Sequence, residues 1–225
     1  MSAEQEPEPR KNAPRFDREE AARRAAEARQ KAEIIFSRAY GLIRDPRAEW
    51  EQIKAEKTNI PSILLGYVAP LAAIPPLAGA VGGIAFGEQV GETVVRTDPG
   101  TVLVTAIVTF FASVALVYFM GILINTLAEN FDAERDDLAA QKVAAYSMTP
   151  AFISGLFSLW PPLWWIGLIG IAMTAFLFYR GLPILMRCPN ERAMGYATTV
   201  GLAGLIAFVI LFSVSGCVVG IGRLS

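Results

Sequence analysis

Four long stretches of this sequence contain no charged residue, and they constrain the fold more than any other feature. They cover residues 58–87, 99–128, 143–179 and 193–222. About 20 apolar residues cross the hydrocarbon core of a bilayer, so each stretch is long enough to span a membrane. With 53% hydrophobic residues, the chain is also more apolar than a soluble domain of this length usually is. The pattern predicts an all-α, multi-pass membrane protein.

The third uncharged stretch is long enough for two crossings, and Trp160, Pro161 and Pro162 lie near its middle. Proline cannot donate the backbone hydrogen bond of a helix interior, so it breaks the helix. A tight hairpin is therefore expected there, and one long tilted helix is the disfavoured alternative. The prediction is five transmembrane helices, at about residues 63–86, 101–127, 143–159, 163–180 and 195–220.

Basic residues are concentrated early in the chain, which indicates the orientation in the membrane. Thirteen of the 20 Lys and Arg residues precede Thr58. Because cytoplasmic segments are enriched in Lys and Arg, the N-terminus is expected in the cytoplasm. Five crossings then place the connections at residues 129–142 and 180–192 inside and the C-terminus outside. The predicted location is the cell (inner) membrane, with residues 58–225 as the membrane domain.

The residues before the first crossing divide into two parts. Residues 1–15 are rich in proline and glutamate and are expected to form a disordered tail. Residues 16–57 are predicted to form a cytoplasmic helical arm, charged at first and amphipathic later. Asp45 can cap a second short helix that begins at Pro46. The apolar side of that helix, marked by Trp50, could lie in the membrane interface or pack on the loops, and both alternatives stay open.

The composition argues against catalysis by the common side-chain apparatus. The chain contains no histidine, which excludes Ser-His triads and imidazole metal ligands. The predicted spans contain no acid or base to carry protons or ions, which weakens a coupled transporter. No glycine-rich phosphate-binding motif is found. We therefore expect no enzymatic activity, no catalytic residue, no cofactor, no metal ion and no nucleic-acid partner.

The most polar internal segment, residues 125–150, lies between apolar stretches and must sit at a membrane surface. Asn125 and Tyr146 are expected at the same cytoplasmic level, because the connection between their helices is short. Helix carbonyls near Pro150 lack an amide partner, and nearby polar side chains can compensate. The candidate polar patch, with either a structural or a binding role, consists of Asn125, Asn130, Tyr146, Ser147 and Pro150.

Charged residues of the two predicted cytoplasmic connections form a second candidate site. The acidic turn could hold a divalent cation through oxygen ligands, but it lacks the spacing and the turn glycine of an EF-hand. A solvated loop that faces a protein partner is the favoured interpretation. The candidate partner loop consists of Asp132, Glu134, Asp136, Asp137, Arg187 and Arg192.

Two further features concern packing and redox state. Gly79, Gly83 and Gly87 recur at four-residue spacing, which predicts the close approach of another backbone at these positions. Cys188 is expected at the cytoplasmic face and Cys217 within the last span, so both are predicted to be free thiols.

Several short motifs together resemble the Yip family, the Ypt/Rab-GTPase-interacting membrane proteins. The polar segment carries Asn-Thr-Leu-Ala-Glu-Asn-Phe at residues 125–131 and Tyr-Ser-Met-Thr-Pro at residues 146–150. Arg-Gly-Leu-Pro at residues 180–183 is similar to the family's connection between the fourth and fifth spans. Ile-Arg-Asp-Pro at residues 43–46, followed by Trp50, resembles the lead-in of its bacterial branch.

The resemblance implies a five-span fold, a cytoplasmic N-terminus and an organising or adaptor role without known catalysis. The Asp-Leu-Tyr-Gly-Pro motif of eukaryotic members is absent, so their role with Rab GTPases is not expected here. The leading hypothesis is a membrane adaptor whose cytoplasmic arm and loops bind a protein partner. Membrane lipids are further expected partners, and homo-oligomer formation stays open. The alternative is a small permease or a lipid- or ion-handling channel.

Overall fold

The computed structural model describes the backbone of residues 18–90, 93–95, 98–163 and 165–222. Side chains are described for residues 20–87, 98–160, 162–163 and 165–213. The tail predicted for residues 1–15 lies outside the described residues. Contacts divide the chain into a unit over Met1–Phe36 and a larger unit over Ser37–Ser225.

Two helices precede the first apolar stretch: α1 (Arg18–Arg44) and α2 (Pro46–Ala55). In the smaller unit the side chains of α1 from Glu20 onward are almost all exposed, as its charged sequence predicts. The break between the helices is where the sequence places it, since Asp45 accepts a hydrogen bond from the Ala48 amide at 3.2 Å and Pro46 begins α2. The predicted second short helix is therefore confirmed.

The first apolar stretch is a broken helix rather than a straight one. It consists of α3 (Ile60–Ile63), a π-helical turn (Leu64–Val68), α4 (Ala69–Ala72) and α5 (Ile74–Phe86). The Asn59 side chain caps its start by accepting a hydrogen bond from the Ser62 amide at 2.8 Å. Pro70, Pro75 and Pro76 supply no amide hydrogen, which accounts for the irregular stretch in physical terms.

A short antiparallel hairpin follows, with strands β1 (Glu88–Val90) and β2 (Thr93–Val95). Glu88 pairs with Val95 in its register. Gly87 ends α5 with a φ of 74°, which a residue with a side chain rarely adopts. The β-branched residues of β2 favour this extended backbone. In the described part of the chain, the all-α fold is therefore modified only by these two three-residue strands.

The remaining chain is helical, with one irregular segment in its middle. Helix α6 (Pro99–Leu127) leads through a 3₁₀ turn (Ala128–Phe131) to α7 (Asp137–Ser147). Next come α8 (Thr149–Ser154), a 3₁₀ segment (Gly155–Leu159) and a 3₁₀ turn (Pro161–Leu163). The chain continues with α9 (Ile166–Leu185) and α10 (Asn190–Gly222).

Four helical stretches of the described residues are long and apolar enough to cross a membrane: Ile60–Phe86, Pro99–Phe131, Ile166–Leu185 and Asn190–Ser213. They correspond to four of the five predicted spans, with shifted ends. The stretch around α9 begins later than predicted and continues past Arg180, so that arginine lies within a helix. The predicted third span, residues 143–159, is not among them, because the chain there is divided between α7, α8 and a 3₁₀ segment.

Glycine contacts between helices correct one prediction. A Cβ added at Gly82 would lie 2.7 Å from the carbonyl oxygens of Ser158 and Leu159, so α5 and the 3₁₀ segment approach backbone to backbone there. The predicted positions differ: an added Cβ would meet nothing within 4 Å at Gly83 and only the Ser158 hydroxyl, at 3.8 Å, at Gly79. The spacing prediction was therefore wrong at Gly79 and Gly83, because the spacing does not establish which helix face meets the neighbour.

Substitution of Gly82 by alanine is expected to destabilise the protein, since a methyl group must displace backbone atoms that cannot move independently. The cost should be about 1–3 kcal/mol, as for overpacked sites generally. The matched substitution Gly83→Ala places the same methyl group in open space and should leave stability unchanged or slightly higher. Thermal melting in detergent measures both, and equal melting temperatures for the two variants would refute the contact.

Candidate functional site

Helix α2 is bound to the membrane domain through a buried tryptophan. Trp50 and Ile53 are fully buried, and burial of such side chains contributes roughly 1.5–3 kcal/mol each. A Cβ added at Gly181 of α9 would lie 2.8 Å from the Trp50 ring, so only a glycine admits the indole there. The apolar side of the helix therefore packs on α9, and Trp50 does not face lipid.

The Lys142 side chain of α7 caps the end of α2. Its ammonium group donates hydrogen bonds to the carbonyl oxygens of Ile53 and Glu56, each at 2.7 Å. Carbonyls in the last turn of a helix lack the usual amide partner. The Ile53 carbonyl also accepts a longer bond from the Glu56 amide, at 3.3 Å, whereas Lys142 is the described donor to the Glu56 carbonyl. Lys142 is only 4% exposed, and this burial lowers the pKa of its side chain, an effect that the nearby Glu56 carboxylate opposes.

Arg38 of α1 links the same elements from the other side. Its guanidinium group donates to Glu49 and Glu56, each at 2.7 Å, and lies 5.7 Å from the centre of the Tyr146 ring. Both carboxylates are on or next to α2, so the arginine holds the end of α1, α2 and α7 together.

Tyr146, a predicted patch residue, lies in an aromatic cluster. Its ring centre is 4.5 Å from that of Tyr67 on the π-helical turn and 6.5 Å from that of Trp50. These separations are in the range where aromatic pairs attract each other. Tyr146 is therefore a contact between the first apolar stretch, α7 and α2, which is a structural role.

The break before Pro150 is compensated by a residue that sequence reasoning missed. Because Pro150 has no amide hydrogen, the carbonyl of Tyr146 loses its helix partner. The Thr149 hydroxyl donates to that carbonyl at 2.7 Å. With its only hydrogen so used, Thr149 accepts a bond from the Tyr67 hydroxyl, at 2.8 Å. A threonine directly before a proline was the available signal for this role.

The other members of the polar patch do not join this cluster. The Asn125 amide donates to the Asp137 carboxylate at 2.5 Å, which ties the end of α6 to the first turn of α7. Asn130 is exposed. Ser147 is fully buried, and its hydroxyl has no partner among the described residues. The structure therefore does not bring the predicted patch together: Tyr146 and Pro150 belong to the cluster, whereas Asn125, Asn130 and Ser147 form no hydrogen bond with it.

The candidate partner loop is brought together, but its charges largely pair with one another. Arg187 donates to both Glu134 carboxylate oxygens, at 2.8 and 3.0 Å, and Arg192 lies 3.3 Å from Asp132. The Glu134 amide also donates to the Met186 carbonyl at 2.9 Å. The α6–α7 and α9–α10 connections therefore form one unit. Exposed ion pairs of this kind contribute about 0–1 kcal/mol each.

The last acidic residues of that loop belong to α7. Asp136 caps the helix by accepting from the Ala139 amide at 2.9 Å, and Asp137 accepts the bond from Asn125. We call the end of the membrane domain formed by residues 46–58, 128–142 and 185–192 the charged face. Every acidic residue of the candidate partner loop thus has a partner within the protein itself.

Cys188 lies at the charged face and is buried, with 4% of its surface exposed. It is a free thiol, as predicted. Burial raises the pKa of Cys188, the Asp132 carboxylate raises it further, and Arg192 opposes the rise. The side chain of Cys217 lies outside the described residues.

Two features define the class of protein: long apolar helices that pack through glycine, and a charged helix bound at one end by buried lysine and tryptophan. This is an α-helical integral membrane protein. The Yip1 domain family matches residues 40–211, more than half of the chain, and the chain belongs to that family. The resemblance noted in its motifs is thereby confirmed.

Curated relatives agree with this assignment. The chain is 28% identical over 192 residues to the inner membrane protein YohC of Escherichia coli K12, a match that covers 83% of this chain and 98% of the relative. The protein of the same name from Escherichia coli O6:H1 matches to the same extent. No solved structure matches this chain.

Replacement of Lys142 by methionine is expected to lower the free energy of unfolding by about 1–3 kcal/mol, because the α2 carbonyls lose their donor. Lys57→Met removes a lysine that is exposed at the same face and should change stability little. Chemical denaturation in detergent distinguishes the two variants. A Lys142→Met protein as stable as Lys57→Met would show that the cap contributes nothing.

Cys188 is expected to react slowly with iodoacetamide in the folded protein. The thiolate is the nucleophile, so burial and a raised pKa both reduce the rate at a given pH. In a Cys217→Ser background, alkylation at pH 8 should be at least about tenfold slower than after denaturation. The exposed control Glu191→Cys, with Cys188→Ser, should react quickly in both states. Equal rates for Cys188 before and after denaturation would contradict its burial.

Proposed function

We propose that this protein is a non-enzymatic adaptor of the inner membrane that binds a protein partner through its charged face and its N-terminal arm. In this proposal the chain crosses the membrane five times, with its N-terminus in the cytoplasm and its C-terminus outside. The relative YohC is named an inner membrane protein, which supports the choice of membrane.

The packing of the irregular segment supports a fifth crossing. Residues 137–159 begin beside α2, where Lys142 binds, and lead to the 3₁₀ turn before α9. Both α7 and α8 pack along α9. Helix α9 then returns to the charged face, where Arg187 meets Glu134. Since 20 residues of α-helix extend about 30 Å, a segment that accompanies α9 covers the thickness of the hydrocarbon core.

The observation that carries the adaptor role is the attachment of α2. Trp50, Lys142 and Arg38 hold this helix in one position on the membrane domain. One flank of the helix remains exposed and carries Arg47 and Glu51, which line a cavity together with Tyr179 and Arg180 of α9. A helix held in one position with an exposed charged side is pre-organised for a protein partner, because little conformational freedom is lost on binding.

One observation favours the alternative of a lipid- or ion-handling protein. A cavity of about 580 Å³ lies between α5, α6, α8, α9 and α10, and most of its lining is apolar. The hydroxyls of Ser113 and Ser154 already donate to carbonyls of their own helices, at 2.8 and 2.9 Å. Such a wall suits a hydrocarbon chain better than a hydrated ion, which needs polar partners in the membrane.

The topology is tested by single cysteines in a Cys188→Ser, Cys217→Ser background. Gln89→Cys should react with a membrane-impermeant maleimide in intact spheroplasts, because positive-inside orientation places it outside. Glu51→Cys should react only after the membrane is permeabilised. Labelling of Glu51→Cys in sealed spheroplasts would overturn the orientation, and labelling of neither position in sealed membranes would overturn the crossing of the first stretch.

The adaptor role is tested by a photo-crosslinking amino acid at Glu51, on the exposed side of α2, compared with the same group at Leu205, which is exposed on α10. A defined protein product from position 51 that is absent from position 205 is expected. Charge reversal by Arg47→Glu should reduce its yield, because docking at this side is steered by charge. Absence of any product, together with solute flux in proteoliposomes, would favour the permease.

A further inference from the structure

A second cavity lies at the charged face, with a volume of about 470 Å³. The end of α2 and the residues up to Thr58 line one side, and the start of α7 with Leu185 and Arg187 lines the other. Three lysines contribute to its walls: Lys54, Lys57 and Lys142. The lining is therefore unlike that of the apolar cavity between the spans.

Three acidic residues also line this cavity, and two of them are paired with arginines. Glu134 is bound by Arg187, and Glu56 is bound by Arg38, which lies outside the lining. Asp136 accepts the capping bond of α7. By contrast, neither Lys54 nor Lys57 forms an ion pair with any described residue, and both are exposed. The positive charge of these lysines is thus not matched by a carboxylate in contact.

Lys142 provides the buried part of the site. It is 4% exposed, and its ammonium group donates to two neutral carbonyls. A lysine has three N–H donors, and the third has no acceptor among the described residues. No described carboxylate lies within ion-pair distance of it. The Glu56 and Asp136 carboxylates favour its charged form from a distance, but neither contacts the ammonium group. An anion in the adjoining cavity that did contact it would lower the cost of burying this charge further.

The position of the cavity indicates which kind of anion it can bind. Its lining reaches Thr58, and the first apolar stretch begins at Ile60 after the Asn59 cap. The cavity therefore lies where hydrocarbon ends and lipid phosphates begin. Basic pockets between membrane helices at the cytoplasmic side suit anionic headgroups, and a phosphate accepts hydrogen bonds from several lysines at once.

We propose that this cavity binds the phosphate of an anionic phospholipid headgroup, with Lys142 as the buried donor and Lys54 and Lys57 as the exposed donors. This site goes beyond the adaptor role and does not depend on it. The lipid's acyl chains remain in the bilayer beside the first apolar stretch. A lipid whose headgroup carries no net charge is attracted less strongly by the three lysines.

The test uses the full-length protein purified in an uncharged detergent and titrated with phosphatidylglycerol, phosphatidylcholine or inorganic phosphate, with the melting temperature as the readout. Phosphatidylglycerol should raise the melting temperature in a saturable way, and the other two should not. In the double variant Lys54→Gln/Lys57→Gln, the half-saturating concentration of phosphatidylglycerol should rise about 25-fold. This corresponds to about fivefold for each lysine near the lipid surface. The control Arg44→Gln/Arg47→Gln removes two charges outside the cavity and should shift it less than about twofold.

Three results would overturn the site. If phosphatidylcholine stabilised the protein as much as phosphatidylglycerol, the effect would be a general lipid effect. If the arginine control weakened phosphatidylglycerol binding as much as the lysine double variant, net charge alone would account for the attraction. Saturation by inorganic phosphate at the same concentration would assign the cavity to a soluble phosphate compound. Lys142→Gln should abolish the phosphatidylglycerol response, and if that variant does not fold, the exposed lysine pair decides the outcome.

Discussion

The structure depends on one buried ammonium group. Lys142 belongs to α7, which follows the second apolar stretch. Its two hydrogen bonds join α7 to the end of α2, which precedes the first apolar stretch. A charge so poorly exposed is tolerated only with hydrogen-bond partners of good geometry. Lys142 needs acceptors, and the carbonyls of Ile53 and Glu56 supply them. The position of α2 on the membrane domain therefore follows from electrostatics as well as from packing.

Side-chain packing also stabilises the attachment of α2 to the membrane domain. The Trp50 ring occupies the space that a side chain at position 181 would fill, and Tyr146 connects that ring to Tyr67. Membrane helices associate through close contact and hydrogen bonds, because lipid supplies no hydrophobic drive for their association. Here Gly181 of α9 contacts the ring of Trp50, which belongs to a helix outside the membrane spans. The junction therefore combines a soluble protein's buried tryptophan with a membrane protein's small-residue contact.

Sequence reasoning succeeded where the signal is local. The uncharged stretches identified four helices that are long and apolar enough to cross a membrane. The Asp45-Pro46 pair placed the start of α2, and the ordered motifs identified the family. It failed where the partner is distant in the chain. Nothing in the spacing of Gly79 and Gly83 reveals that Gly82 meets the 3₁₀ segment, and the ion pairs that occupy Glu134 and Asp132 join residues more than fifty positions apart. Of the candidate site, the residue types were predictable, whereas the division of the polar patch was not.

The interrupted segment between α7 and the turn before α9 has a consequence for biogenesis. A nascent segment enters the bilayer by itself only when its apolar content offsets the cost of its polar groups. Residues 143–159 carry a proline break and 3₁₀ geometry, whereas α9 is long and apolar enough to cross. In the proposed five-crossing topology, the weaker segment would then enter together with α9 as a helical hairpin, since Ser154 and the Pro150 carbonyl pack closely against Gly170 of that helix. Synthesis would have to reach the end of α9 before the preceding segment acquires a stable transmembrane position.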